Sequence, residues 1–215
     1  MRLAAVIFDL DGVLADTAQA HFEAWRRLAG ELGSTIDEAL GERLKGIDRM
    51  GALDIILSHG GIAVDEAQRH ALAARKNAYY RAAIAAMGPA DLLPGAREAL
   101  AQVKAAGCKT ALASASRNAP FLLERLGIGQ ALDHVVDAGA IAYPKPAPDI
   151  FLAAAAALEV APQACLGVED AAAGVAAIKA AGMKALGIGD AAILHQADWV
   201  LPSIARFRVA DFSRL

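Results

Sequence analysis

Five short apolar runs punctuate the chain, at residues 3–8, 108–114, 134–138, 164–168 and 183–189. A run that does not alternate polar with apolar residues suits a strand covered on both faces, as in a parallel sheet wrapped by helices. A shorter stretch at 198–201 adds a sixth candidate strand. Between the runs, apolar residues recur at helical spacing over 95–106, 120–126, 148–158 and 172–181. This alternation predicts an α/β domain that binds its ligands at the carboxyl ends of its strands.

The alternation breaks once. From Thr17 to Met87 no strand pattern appears, only helical patterns interrupted at "GELGS", "KGIDR" and "HGGIAVD". A block of that size between the first two strands is expected to be an inserted helical bundle, with connections near 16–18 and 88–91 forming a hinge. The expected architecture is α/β: a Rossmann-like parallel-sheet core from 1–16 and 88–215, carrying an α-helical cap domain at 17–87. With 56% hydrophobic and 21% charged residues, a chain of 215 should bury a substantial core. Its net charge of −3 offers no general attraction to nucleic acid or an anionic membrane, so neither is an expected partner. No uncharged apolar stretch reaches the ~20 residues that span a bilayer. No basic leader opens the chain, and Cys108 and Cys165 sit in apolar runs that favour core thiols over a disulfide. A reducing cytoplasm is the expected location.

Four clusters carry chemistry. In "VIFDLDGVLADT" the first strand ends in Asp9 and Asp11, two residues apart, so extended backbone aims both carboxylates to one side. One carboxylate can attack phosphorus and the other, when protonated, can serve a leaving oxygen; the alternative is a pair of loop aspartates capping the helix from Thr17. In "GVEDAAAGV", Glu169 and Asp170 follow the fourth strand and offer the hard oxygens that Mg²⁺ prefers, unless Asp170 merely caps the next helix and Glu169 is solvated. In "LASASRN", Ser114, Ser116 and Asn118 leave the second strand as a phosphate cradle or as simple turn residues. In "YPKPAPDIF", Lys145 is fixed between two prolines, either to neutralise a phosphoryl group or as an ordinary surface lysine. His59, His70, His134 and His195 show no ligand-like spacing.

Taken in order, "FDLDGVLADT", "LASAS", "PKPAPDIF" and "GVEDAAAGV" resemble the four motifs of the haloacid dehalogenase superfamily of phosphotransferases. The segments "HFEAWRRLAGELG", "LKGIDRMGAL", "RKNAYY", "LLPGARE" and "ASASRNAPFLLERLGI" are similar to its sugar-phosphomutase branch. The resemblance implies that Asp9 is a nucleophile carried as an aspartyl phosphate, and that Asp11 is the general acid/base. It implies a Mg²⁺ site of the Asp9 carboxylate, the Asp11 backbone carbonyl, Glu169 and Asp170. Ser114 and Lys145 would hold the transferring phosphoryl group. Arg49 would hold the non-reacting phosphate, with Ser116, Arg117 and Asn118 against the sugar phosphate from the core side. Thr17, His21 and Lys76 match positions tied to cap closure and the acid/base; Trp25, Leu44 and Gly46 match sugar-pocket positions. By residue type alone Trp25 also suits a core, His21 a polar helix face and Lys76 a solvated helix. Ala52 stands where a hydroxyl is usual, and Arg117 where lysine is frequent, both near the expected sugar. The implied reaction interconverts β-D-glucose 1-phosphate and glucose 6-phosphate through a β-1,6-bisphosphate. The alternative is a sugar-phosphate phosphatase with water as acceptor. Small sugar phosphates and the bisphosphate are the implied partners, and a moving cap argues for a monomer.

Overall fold

The computed structural model describes residues 2–213, so 1 and 214–215 of the expected core lie outside the described residues. Its centre is β1 (Ala5–Phe8). Four helices follow before the next strand: α1 (Ala18–Glu31), α2 (Glu38–Leu44), α3 (Arg49–His59) and α4 (Glu66–Ile84). Then come α5 (Ala96–Ala105), β2 (Lys109–Leu112), α6 (Ala119–Leu126), β3 (His134–Val135) and α7 (Asp149–Ala157). The chain continues with β4 (Cys165–Glu169), α8 (Ala172–Ala180), β5 (Lys184–Ile188) and β6 (Trp199–Leu201). All six strands are parallel, in the order β3-β2-β1-β4-β5-β6. The order reverses at β1, where loops leaving neighbouring strands part and open a crevice. Phe8 lies level with both Leu112 and Val168, so the residues after β1, β2 and β4 arrive together at one rim.

The strand reading explains itself through two apolar clusters. Ala5 and Ile7 join Phe151 of α7 and Ile178 of α8 on one face. Val6 and Phe8 join Leu100 of α5 and Leu122 of α6 on the other, with Phe207 edge-on to Phe8 at 6.2 Å. Each large side chain so buried contributes about 1.5–3 kcal/mol. β3 is shorter than the apolar run implied, because the Asp137 carboxylate accepts the Gly139 N–H at 2.8 Å and turns the chain away. β4 begins one residue later than read, since Ala164 closes a 3₁₀ turn, and it includes Glu169.

Helices α1–α4 gather around a third cluster of Trp25, Leu28, Leu40, Leu53, Ile56 and Leu72. The three breaks in the helical pattern each lead to an aspartate cap: Asp37 for α2, Asp48 for α3 and Asp65, in a capping box with Gln68, for α4. α4 is shared. Leu72 and Ala73 belong to the third cluster, whereas Tyr80 and Ile84 are buried in the sheet's own cluster. The two connections run against each other, the Asp16 N–H donating to the Asp91 carbonyl at 3.1 Å and the Leu93 N–H to the Leu14 carbonyl at 3.0 Å. Ala52 corrects an expectation: it is 1% exposed within the third cluster, so its missing hydroxyl does not face the cleft. Among the described residues no helix is long and apolar enough to cross a membrane.

Candidate active site

Asp9 is the first residue past β1, its N–H still donating to the Val168 carbonyl of β4 at 2.9 Å. Ser114 leaves β2 beside it, after Ala113 has donated to the Phe8 carbonyl at 2.8 Å. Lys145 comes from the loop between β3 and α7. It is wholly buried, and its Nζ donates at 2.6 Å to both Asp9 Oδ1 and Glu169 Oε1. The other Glu169 oxygen accepts the N–H groups of Asp170 and Ala171 at 2.9 Å, ahead of α8. Asp170 therefore does not cap α8, Glu169 is not solvated, and Lys145 is not a surface lysine.

The carboxylates of Asp9, Glu169 and Asp170 each present an oxygen within 4.8 Å of the others. Their mutual repulsion is visible in their proton affinity. Burial, reinforced by Glu169 and Asp11, pushes Asp9 up to about 7 against the pull of Lys145. Burial and then Glu169 push Asp170 well above the usual carboxylate range. One lysine cannot neutralise three clustered carboxylates, two of them buried, and a hard divalent cation suits the oxygens that remain. Two glycines shape this cradle. A Cβ at Gly12, where φ is +76°, would stand 2.1 Å from Asp170 Oδ2, and one at Gly174 would stand 1.8 Å from Glu169 Oε1.

Asp11 stands apart from that cluster. Its Oδ1 accepts the Thr17 hydroxyl and, at 3.3 Å, the Tyr80 hydroxyl, with His21 Nε2 at 3.6 Å. Thr17 occupies the N-cap position of α1 but spends its hydroxyl on Asp11 and gives its helix no side-chain cap. Lys76, 2% exposed, donates to His21 Nδ1 at 2.8 Å and lies 4.5 Å from the Trp25 ring centroid. Where Lys76 is an ammonium it can only donate, so His21 Nδ1 then accepts and the ring proton sits on Nε2, 3.6 Å from Asp11 Oδ1. Burial, together with Lys76 and Arg49, lowers His21 to about 4, so the ring is neutral at pH 7. Burial, and next Arg49, lowers Lys76 to about 7.

Above the rim lies a cleft of about 1180 Å³, lined from the α1–α4 side by Leu44, Gly46, Arg49 and Lys76 and from the sheet side by Asp9, Ser116, Arg117 and Asn118. Ser114 and Ser116 also serve the turn: Ser114 Oγ accepts the Ser116 N–H at 3.1 Å, and Ser116 Oγ the Asn118 N–H at 3.3 Å. Arg49 opens α3, and burial followed by the nearby Arg117 guanidinium holds it below its ordinary value. Among the described residues neither guanidinium is paired with a carboxylate. Gly46 closes onto α8, where a Cβ would meet that of Ala171 at 2.9 Å. Trp25 is a core residue of the third cluster whose ring also borders the cleft.

Two residues at the site escaped the sequence reading. Tyr80 stacks on His21 at 3.8 Å between centroids, and Asn77 accepts a hydrogen bond from Asn118 across the cleft at 3.0 Å. In "RKNAYY" Tyr80 follows Lys76 by one helical turn, a spacing that puts both on one face. That signal was available for Tyr80; nothing comparable marked Asn77.

Residues 3–182 match the haloacid dehalogenase-like hydrolase family, and the chain belongs to it. Within that family it is similar to β-phosphoglucomutases. It is 47% identical over 199 residues to the β-phosphoglucomutase of Bacillus subtilis, covering 92% of this chain and 88% of that one. The crystal structure of β-phosphoglucomutase from Clostridium difficile superposes with a TM-score of 0.94 at 42% identity, covering 97% of this chain and 95% of the other. A phosphorylated carbohydrates phosphatase of Thermotoga maritima is more distant, at 34% identity over 84% of this chain and 82% of its own.

Proposed function

We propose that this chain is a phosphomutase that interconverts β-D-glucose 1-phosphate and glucose 6-phosphate through β-D-glucose 1,6-bisphosphate. The observation that carries the reading is the pair of guanidiniums, Arg49 from the α1–α4 side and Arg117 from the sheet side, that line the same cleft as Asp9 and Lys145 and have no carboxylate partner among the described residues. A hydrolase needs one phosphate site. A mutase needs a second to hold the phosphate that is not reacting, and a guanidinium can grip it in either orientation of the bisphosphate.

In the proposed cycle, phosphorylated Asp9 gives its phosphoryl group to the 6-hydroxyl of the sugar while Asp11 takes the hydroxyl proton. The bisphosphate then turns over, and Asp9 attacks the phosphorus at C1. The C1–O–P bond breaks on the oxygen side of phosphorus, and Asp11 returns its proton to the leaving oxygen. Ser114 and Lys145 steady the moving phosphoryl group. Asp9, Glu169, Asp170 and the Asp11 carbonyl would hold Mg²⁺, which when bound screens the negative charge gathered on phosphate and carboxylates. Thr17, His21, Lys76 and Tyr80 set the rotamer of Asp11, and Leu44, Gly46 and Trp25 border the sugar. Ser116 and Asn118 meet the sugar phosphate from the core side. Residues 17–87 act as a cap that shuts water out during transfer, hinged where the two connections run side by side.

The experiment supplies β-glucose 1-phosphate with Mg²⁺ and a trace of bisphosphate and measures both products. Glucose 6-phosphate should accumulate with little free phosphate; one phosphate released per sugar consumed would replace this reading with the phosphatase one. The second phosphate site has its own check. Arg49→Ala should raise KM for the sugar phosphate by about ten- to a hundredfold, the scale of a lost charge-assisted bond. Hydrolysis of acetyl phosphate, which has no second phosphate, should stay within about twofold. Equal loss of both would remove Arg49 from this role.

A further inference from the structure

α6 and α4 meet along a seam that the reaction does not explain. On α6 and its cap the contact residues are Asn118, Phe121 and Arg125, spaced to fall on one helical face. Asn118 Nδ2 donates to Asn77 Oδ1 at 3.0 Å, the Arg81 guanidinium lies 5.2 Å from the Phe121 ring centroid, and Arg125 Nε donates to the Met87 carbonyl at 3.0 Å. The foot of the seam is beside the hinge, and its tip is in the cleft. The tip is unusual chemically. Asn118 holds the N-cap position of α6, where an asparagine ordinarily turns back to its own helix, yet it makes no side-chain cap bond and reaches across to α4. It does so while 8% exposed, so its amide has little water to fall back on.

We propose that Asn77 is a positioning residue for sugar-phosphate binding, acting through Asn118: it fixes the Asn118 amide towards the cleft when α4 lies against α6. The inference rests on the reading of Asn118 as a sugar-phosphate contact. Asn77 accepts one N–H of that amide, so the Asn118 carbonyl oxygen and its second N–H keep one orientation for the ligand. The Asn77–Asn118 bond is also the part of the seam farthest along α4 from the hinge, where a rotation about the hinge would separate the two helices most. The Arg125–Met87 bond lies next to the hinge, where such a rotation would displace it least.

The test is a double-mutant cycle of Asn77→Ala and Asn118→Ala, reading kcat and KM for β-glucose 1-phosphate. Product is followed as glucose 6-phosphate or free phosphate, whichever the unsubstituted enzyme releases; failure of the mutase reading would show there and leave the cycle legible. Asn77→Ala should raise KM about five- to tenfold with kcat within about twofold, and the double variant should be no worse than Asn118→Ala alone. Multiplied effects, or an unchanged KM in Asn77→Ala, would overturn the proposal. Arg125→Ala should lower the melting temperature without moving KM; an equal rise in KM would mean that general loosening, not the tip, controls binding. Should alanine at 77 prevent folding, Asn77→Leu keeps the volume without the acceptor and gives the same reading.

Discussion

Asp9→Asn should abolish turnover, by about four orders of magnitude or more, the scale on which removing a reacting nucleophile acts. The amide keeps the shape of the carboxylate but cannot attack phosphorus or leave as an acyl phosphate. Stability should barely suffer. Lys145 retains Glu169 at 2.6 Å, and one of three crowded carboxylates has lost its charge. A melting temperature equal to or above that of the unsubstituted protein, together with absent phosphoryl transfer from acetyl phosphate, is the expected pair of results. Residual turnover within a hundredfold would mean that another group carries the phosphoryl.

Lys145→Met should damage both folding and catalysis. The lysine is wholly enclosed, and its Nζ serves two carboxylates at once. Taking one partner from a buried ion pair costs about 3–5 kcal/mol, and loss of a preorganised charge at a reacting centre costs about 10²–10³ in rate. The stability loss has a defined pH dependence in metal-free buffer. Asp9 already binds its proton up to about 7 with the lysine present, and burial raises Asp170 in the same direction. Carboxyls with raised folded values bind protons more readily folded than unfolded, so they favour the fold at low pH and oppose it as pH rises through those values. Denaturant titrations should therefore show a larger deficit near about pH 8 than near about pH 5. A deficit that grows on acidification would contradict the charge arrangement described here.

Much of the fold is legible in the sequence because buried parallel strands and caps are local signals. Residues 3–8 read as a strand from their own apolarity, and the breaks near Asp37, Asp48 and Asp65 mark helix starts. The acidic cluster was legible for a different reason: residue types that repel one another recur at the ends of separate strands. What could not be read is long-range. Ala52 faces the third apolar cluster rather than the cleft, a matter of how α3 is rotated, and its position in "GIDRMGAL" alone carries no such information. Asn77 likewise owes its place to a partner 41 positions away. Ser114 and Ser116 both serve the turn, their hydroxyls accepting the Ser116 and Asn118 N–H groups.

The shared helix α4 has a thermodynamic consequence. Its amino-terminal half closes the apolar cluster of the inserted helices, and its carboxyl-terminal half sends Tyr80 and Ile84 under the sheet. Both halves of α4 bury apolar side chains, so the four inserted helices and the sheet share one element between their apolar clusters. Such a chain should melt as one cooperative unit.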